Sequence, residues 1–293
     1  MSPRPFGHGG LRVPVLGFGA MQVGDPALAE AAVARLLNHV LDAGLTLIDT
    51  ARSYGVAEER IGRHLAHRRD QFVLSTKVGY GVPGVPDWTY DCIVAGVDAA
   101  RARLGTDVID VVHLHSCSLE ILRAGEVTRA LSDCRAAGKI RVAAYSGDDV
   151  PLRYAVESGA FGGVQASVNL CDQQALPVLR IAQGRGIGTI AKRSLAGRPW
   201  TGAYSGDAVH DEYRRRFDVL RDALDVPPGQ WDEFALRFAA FAPGVDCVVV
   251  GGVDVANVDR NARAVGRGPL SPEENALLLK LYEAHGKDWR GLT

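Results

Sequence analysis

At 293 residues the chain is long for an ordinary domain, yet α/β barrels routinely run to roughly 250 residues as a single unit. A composition of 47% hydrophobic and 23% charged residues is that of a soluble globular protein, and a formal net charge of -1 excludes the basic balance expected of a nucleic-acid or anionic-membrane binder. Cys92, Cys117, Cys134, Cys171 and Cys247 are odd in number and form no C-x-x-C pair, which argues against a disulfide framework and for a reducing compartment. No metal is expected.

The opening "MSPRPFGHGG" lacks the apolar core of a signal peptide, and no apolar run approaches the roughly 20 residues of a membrane span. The cytoplasm is therefore the expected location. "LRVPVLGFGAM" reads as a short hairpin around Val13-Pro14. An alternation then sets in. Helical "PALAEAAVARLLNHVLDAG" leads to strand "LTLIDT", "VAEERIGRHLAHRRD" to "FVLSTKV", and "TYDCIVAGVDAARARLG" to "VIDVVHLH". "GEVTRALSDCRAAGK" leads to "IRVAAYS", "DVPLRYAVESGA" to "GGVQASVN", "LPVLRIAQGRG" to "IGTIAK", and "QWDEFALRFAAF" to "DCVVVGG". An eighth strand is expected near Ala264 and Val265.

Near-continuous apolar strands of this kind suit a parallel sheet covered on both faces by helices. The repeated βα unit gives either a closed barrel or an open doubly wound sheet. The open sheet would carry a G-x-G-x-x-G after its first strand; "DTARSYG" stands there instead, and "GFGA" lacks the third glycine. The expected fold is thus α/β, a (β/α)8 TIM barrel with an N-terminal β-hairpin, with residues 1-293 forming one domain. The basic clusters "RHLAHRRD" and "YRRRF" read as solvated helix faces, and Pro199 to Gly229 as an insertion in one βα connection.

Active sites of such barrels lie at the C-terminal strand ends. There "LTLIDT" delivers Asp49 and, through its loop, Tyr54; the next strand ends with Lys77, the next with His113 and His115. The following strand ends reach Ser146, Gln165 and Asn169, Lys192, and Gly251 with Gly252. A phenol with a pKa near 10 is a poor acid at neutral pH, so Lys77 is expected to lower the Tyr54 pKa while Asp49 keeps Lys77 charged. A tuned phenol serves as general acid toward a carbonyl oxygen or as base toward an alcohol. Other readings of the same residues are a plain salt bridge across the barrel mouth, a Schiff-base lyase or aldolase with Lys77 as nucleophile, and a non-catalytic cofactor-binding regulatory subunit. One of the two histidines reads as a hydrogen-bonded interior residue, and Cys117 as a passive thiol.

"LTLIDTARSYG", "STKVG" and "DVIDVVHLHS" resemble the three signature regions of the aldo-keto reductases, and "KIRVAAYSG", "GGVQASVN" and "GGVDVANVDRNARAV" resemble that family's cofactor-binding segments. The resemblance runs from about Leu11 to Glu274. It implies an NAD(P)H-dependent oxidoreductase that reduces an aldehyde or ketone to the alcohol, or the reverse. Tyr54 would be the general acid, Asp49 and Lys77 its tuning partners and His115 the catalytic histidine, with His113 lower in the barrel. The implied cofactor contacts are Gly19, Ala20, Met21, Asp49, Ser146, Gln165, Lys192, Ser194, Leu195, Gly252, Asn257, Arg260 and Asn261, with Asn169 behind them. Three positions depart from the family. Gly147 replaces an Asn after the strand-end Ser, Lys192 and Arg193 stand where an aromatic often stacks, and Arg260 replaces a Glu. Arg260 or Arg263 offers phosphate a bidentate donor, so NADP(H) is favoured over NAD(H), which the pattern also allows. Partners are expected to be a small carbonyl or alcohol, without nucleic acid or membrane, and no pattern specifies an oligomeric state. Specificity is expected from Ser116 to Glu120, Pro199 to Tyr213 and Lys287 to Thr293, with Trp88, Trp200 and Trp289 as candidate pocket walls.

Overall fold

The computed structural model describes residues 3–202 and 204–292. Strands β1 (Arg4–Phe6) and β2 (Leu11–Val13) pair as an antiparallel hairpin. Eight parallel strands then close into a barrel: β3 (Leu16–Gly19), β4 (Leu47–Asp49), β5 (Val73–Val78), β6 (Ile109–His115), β7 (Ile140–Ser146), β8 (Gly163–Ser167), β9 (Gly188–Lys192) and β10 (Cys247–Gly251). Between them run helices α1 (Glu30–Asp42), α2 (Ala57–Leu65), α3 (Tyr90–Leu104), α4 (Leu119–Ala124), α5 (Glu126–Ala136), α6 (Asp149–Glu157), α7 (Leu176–Gly184), α8 (Ala208–Leu220) and α9 (Trp231–Phe241). Helices α10 (Val255–Gly266) and α11 (Pro272–His285) complete the described chain. No helix among the described residues is long and apolar enough to cross a membrane.

The local signals are conventional. The Thr89 hydroxyl accepts from the Cys92 amide to start α3, and Gly105 ends it at φ 62°. A capping box of Ser271 and Glu274 starts α11. The strands are buried on both faces, as β8 is at every position, because helices cover the outside and side chains fill the inside.

Three expectations need correction. The hairpin lies earlier than Val13-Pro14: its turn is residues 7–10, where Gly7 and Gly10 take φ of 58° and 71°. "LGFG" is instead the first barrel strand, hydrogen-bonded to β10 on one side and β4 on the other. The ring is then complete without a strand at Ala264 and Val265, which lie on the buried face of α10 with Val258. The Pro199 to Gly229 segment is an insertion carrying α8, which packs on α11 before α9 resumes the alternation.

"YRRRF" is also not the solvated face it was expected to be. Arg215 is exposed, but Arg216 is only 2% exposed. Its guanidinium donates to Glu212 (2.8 Å), to the Cys171 carbonyl (3.3 Å) and to the Arg290 carbonyl (2.8 Å), and lies 5.2 Å from the Trp289 ring centre. One buried cation thereby ties α8, the loop after β8 and the C-terminal tail together.

The hairpin closes the bottom of the barrel. Phe6, Leu11 and Val13 join Leu47, Val111, Val142, Ile190 and Val249 in the interior cluster. Gly188 and Gly163 make room for the Phe6 ring, since a Cβ on them would come within 2.6 Å and 3.1 Å of it. Phe6→Ala should cost about 3–5 kcal/mol by leaving a cavity, and Gly188→Ala about 1–3 kcal/mol by overpacking. Because both act on one space, the double mutant should lose less than the sum, read from guanidinium midpoints.

Candidate active site

A cavity of about 750 Å³ opens at the C-terminal strand ends, lined by Gly19, Asp49, Lys77, His115, Ser146, Gln165, Lys192 and Gly251 from the eight barrel strands. Pairing register places the polar groups. Asp49 lies beside Ser75 across β4–β5, and Lys77 beside His113 across β5–β6. Lys77 Nζ donates to Asp49 Oδ2 at 2.6 Å and to the Thr50 carbonyl at 2.8 Å, with both side chains of the pair essentially buried. Ser75 Oγ donates to Asp49 Oδ1 at 2.8 Å, and the His113 Nε2 contact to that same hydroxyl is 3.1 Å. A hydroxyl has one proton and a carboxylate only accepts, so His113 must carry its proton on Nε2.

Burial pushes the Asp49 carboxyl up, but Lys77, His113 and Ser75 outweigh it and hold the group below its usual range. Burial likewise works against the Lys77 ammonium, and Asp49 and Tyr54 reverse the effect, leaving its pKa raised. The expected lowering of Tyr54 is not what the site does. Burial raises the phenol, and Lys77, whose Nζ lies 5.1 Å from the ring centre, only partly opposes it. Tyr54 is therefore protonated across neutral pH. His115 sits edge-on to Tyr54, with ring centres 5.9 Å apart, and burial together with Lys77 and Lys192 lowers its pKa to about 3, so it is a neutral imidazole.

Of the expected cofactor contacts, Gly19, Met21, Asp49, Ser146, Gln165, Lys192, Ser194, Leu195, Gly252, Asn257 and Asn261 line the cavity. Ala20 is fully buried beneath it, its amide held by the Asp49 carbonyl. Arg260 stands outside the wall, its guanidinium on Asn257 Oδ1, and with Arg263 lines an adjoining depression of about 520 Å³ that shares Asn261 with the cavity. Neither arginine has a carboxylate partner among the described residues. Asn169 lies behind the wall, donating to the Arg193 carbonyl and accepting from the Cys171 amide. Gly147 is sterically required: a Cβ there would lie 2.3 Å from the Tyr145 hydroxyl, which is bonded to the Cys117 carbonyl. Burial lifts the Cys117 thiol to about 12, which makes it inert.

Lys192 bears on the wall and pairs with Asp148 at 3.6 Å; burial lowers its pKa. The loop after it is unusual, because Arg193, Ala196 and Arg198 all hold positive φ (55°, 50° and 61°). Side chains cost about 1–3 kcal/mol each in such conformations, which persist mainly at ligand clamps.

Arg193, expected beside Lys192 where an aromatic often stacks, is in the wall, whereas the sequence reading missed Gln22, Tyr80, Arg198 and Val253 there. Of the segments expected to set specificity, Ser116 reaches the cavity. The described parts of Pro199 to Tyr213 and of the tail do not, and Ala203 and Thr293 lie outside the described residues. The expected tryptophans do not line it either. Trp200 packs on Phe217 and Trp231, Trp289 on Tyr282, and Trp88 on Tyr80.

The profile of the Aldo/keto reductase family matches residues 15–283. A 6-dehydroglucose reductase from Novosphingobium aromaticivorans is 32% identical over 149 residues, which are 47% of this chain and 49% of that protein. L-galactose dehydrogenase of Arabidopsis thaliana is 24% identical over 280 residues, 89% of this chain and 87% of that protein. The holo structure of an aldo-keto reductase from Bacillus halodurans superposes with a TM-score of 0.82 at 25% identity, covering 96% of each chain.

The buried histidine gives a stability test. Burial depresses the His113 pKa to about 4, whereas in the unfolded chain it is about 6.5. As pH falls below about 6.5 the unfolded chain takes up this proton first, so the native state loses stability down to about pH 4, by about 3 kcal/mol in all. Asp49, with its depressed pKa, adds a loss in the same direction at lower pH. Guanidinium midpoints from pH 7 to 4 should fall, and His113→Asn should flatten the upper part of that slope.

Proposed function

The chain belongs to the aldo/keto reductase family, and we propose that it reduces a small polar aldehyde or ketone with a nicotinamide cofactor, or runs the reverse, using Tyr54 as general acid/base. The observation that carries this is the convergence of Tyr54, the buried Lys77–Asp49 pair and a neutral His115 at one cavity wall.

The residues present fit a nicotinamide dinucleotide. Gln165 Nε2 is buried without a hydrogen-bond partner among the described residues, while Ser146 Oγ donates to the amide oxygen at 3.0 Å; Nε2 is a free donor for a carboxamide oxygen. Arg193 Nη1, in the strained loop, likewise has no hydrogen-bond partner among the described residues and is a donor for a phosphate oxygen. Arg260 and Arg263 in the adjoining depression suit a 2′-phosphate, which favours NADP(H) over NAD(H).

When bound, the cofactor supplies the hydride. Everything else belongs to the chain. Tyr54, kept protonated by burial, gives its hydroxyl proton to the carbonyl oxygen as negative charge develops there. Lys77 stabilises the phenolate left behind, and Asp49 with the Thr50 carbonyl fixes that ammonium in place. His115, neutral, hydrogen-bonds the carbonyl oxygen without competing for the proton. A charged, hydrogen-bonded Lys77 is a poor nucleophile, which weighs against Schiff-base chemistry. The relatives' names point to sugars, and the polar wall of Gln22, Tyr80, Ser116 and Arg193 suits a hydroxylated carbonyl compound. Free thiols at all five cysteines support a cytoplasmic setting.

NADPH absorbance should fall on adding an aldose or hydroxyaldehyde, and Tyr54→Phe should lower kcat by about 10²–10⁴-fold without weakening NADPH fluorescence titrations. Turnover at the wild-type rate in that variant would remove Tyr54 from the mechanism, and a borohydride-trapped adduct on Lys77 would favour the lyase. Arg260→Ala with Arg263→Ala should weaken NADPH binding by about 10–100-fold, the range for lost hydrogen bonds to a charged group, while leaving NADH binding nearly unchanged. Equal losses for both cofactors would place the arginines elsewhere than on a 2′-phosphate.

A further inference from the structure

Tyr80 sits on the Gly- and Pro-rich loop after β5, and its position is heavily determined. Its hydroxyl is 2.9 Å from His115 Nδ1 and 3.3 Å from Ser53 Oγ, on the loop that carries Tyr54. Its ring stacks on His115 at 5.5 Å and 20°, and packs tilted on Trp88 at 5.6 Å. Trp88 is itself clamped. It holds φ at 59°, its amide bonds the Gly79 carbonyl at 2.8 Å, and its ring fills the space a Cβ on Gly79 would need, 2.1 Å away. Arg52 and Asp87 tie down Gly81 on the other flank of Tyr80. A surface tyrosine without a task would not need three such restraints.

Resting on the reductase reading above, we propose that Tyr80 is a positioning residue: its hydroxyl donates to His115 Nδ1 and so fixes the histidine with its proton on Nε2, facing the cavity. The direction of the bond follows from hydrogen counting. A neutral imidazole has one bare nitrogen, a far better acceptor than an alcohol oxygen, and Tyr80 has a single proton to give. The shorter contact is to His115, while exposed Ser53 can turn its own proton toward the Tyr80 oxygen or to water. With Nδ1 occupied as acceptor, Nε2 must be the N–H, and it makes no hydrogen bond to the described protein. A histidine meant to orient a carbonyl oxygen has to present a donor; the other tautomer would present a lone pair and repel it. The single hydroxyl also couples the strand that carries His115 to the loop that carries Tyr54, so donor and acid keep their spacing.

Tyr80→Phe keeps the ring, the stacking and the packing on Trp88 and removes only the hydroxyl. Imidazole ¹⁵N spectra, with His115 assigned by its loss in His115→Asn, should show an Nε2–H tautomer in the wild type and a mixture or reversal in Tyr80→Phe. Its kcat/KM for carbonyl reduction should fall by about 10–100-fold, the scale found for partners that orient metal-ligating histidines, with NADPH affinity unchanged. Ser53→Ala should leave the wild-type tautomer in place. An unchanged tautomer in Tyr80→Phe overturns the proposal whatever the activity, and so does a changed tautomer with wild-type kcat/KM. If the wild-type protein reduces no carbonyl, the reductase reading fails separately, because the tautomer is measured without turnover.

Discussion

A buried ammonium has to be paired, and that requirement organises this molecule. Lys77 is sealed at the mouth of a parallel barrel, where an isolated charge would be driven to shed its proton. Asp49 and the Thr50 carbonyl prevent this, and removal of either charged partner from such a pair costs about 3–5 kcal/mol. The pair exists only because β4 and β5 run side by side in one register, with Asp49 facing Ser75. Ser75 then passes the constraint to His113 on β6, so three strands are tied by side chains as well as by backbone. Tyr54 is the free end of this network. Burial raises its pKa and Lys77 pulls it the other way, a balance that composition alone would not reveal.

Strain is distributed as unevenly as charge. Trp88, Ser116, Asp149, Arg193, Ala196 and Arg198, the positive-φ side-chain-bearing residues of the described chain, all follow the C-terminal ends of barrel strands. The opposite end is built for stability. The Phe6 hairpin fills the opening there, and the buried carboxylates of Asp110 and Asp246 accept from the Leu74 and Thr189 amides at 2.9 Å each, stitching neighbouring strands. A barrel with one end closed and relaxed can hold several kcal/mol of backbone strain at the other without unravelling.

The strongly periodic parts of this plan were legible in the sequence: seven of the barrel strands, the helices between them, and the polar residues that end those strands. What escaped was set by closure or by chance proximity. Leu16 to Gly19 is four residues with two glycines and a preceding proline, so it reads as a turn-flanked arm. It is a strand because β10 and β4 supply its partners, one of them more than 200 residues away. Ala264 and Val265 look like a short apolar strand, but with Val258 they form the buried stripe of a helix. Arg216 reads as one of three solvated arginines, and only the folded tail shows why it alone is buried. Tyr80 lies in a loop with no period at all, where a single aromatic carries no signal until His115 is placed beside it. That Asp49, Tyr54, Lys77 and His115 share one end of the barrel was legible; the direction of the Tyr54 shift was not, because burial depth is a property of the closed barrel.

The same packing also decides where selectivity can reside. The tail is pinned through Arg216 to the Arg290 carbonyl, through Asp149 to the Gly291 amide, and through Gln174 to the Lys287 carbonyl. These anchors hold it against the loops after β7 and β8, away from Tyr54. The wall near Tyr54 and His115 is left to Met21 and Gln22 after β3, Tyr80 after β5 and Ser116 after β6. Met21 is more than half exposed there, a flexible apolar side chain at an otherwise polar mouth. Gln22 and Ser116 are exposed at the same mouth, and Tyr80 is half-buried. Polar contacts discriminate far more sharply than added apolar surface, because an analogue that lacks a hydroxyl leaves its partner on the protein unpaired.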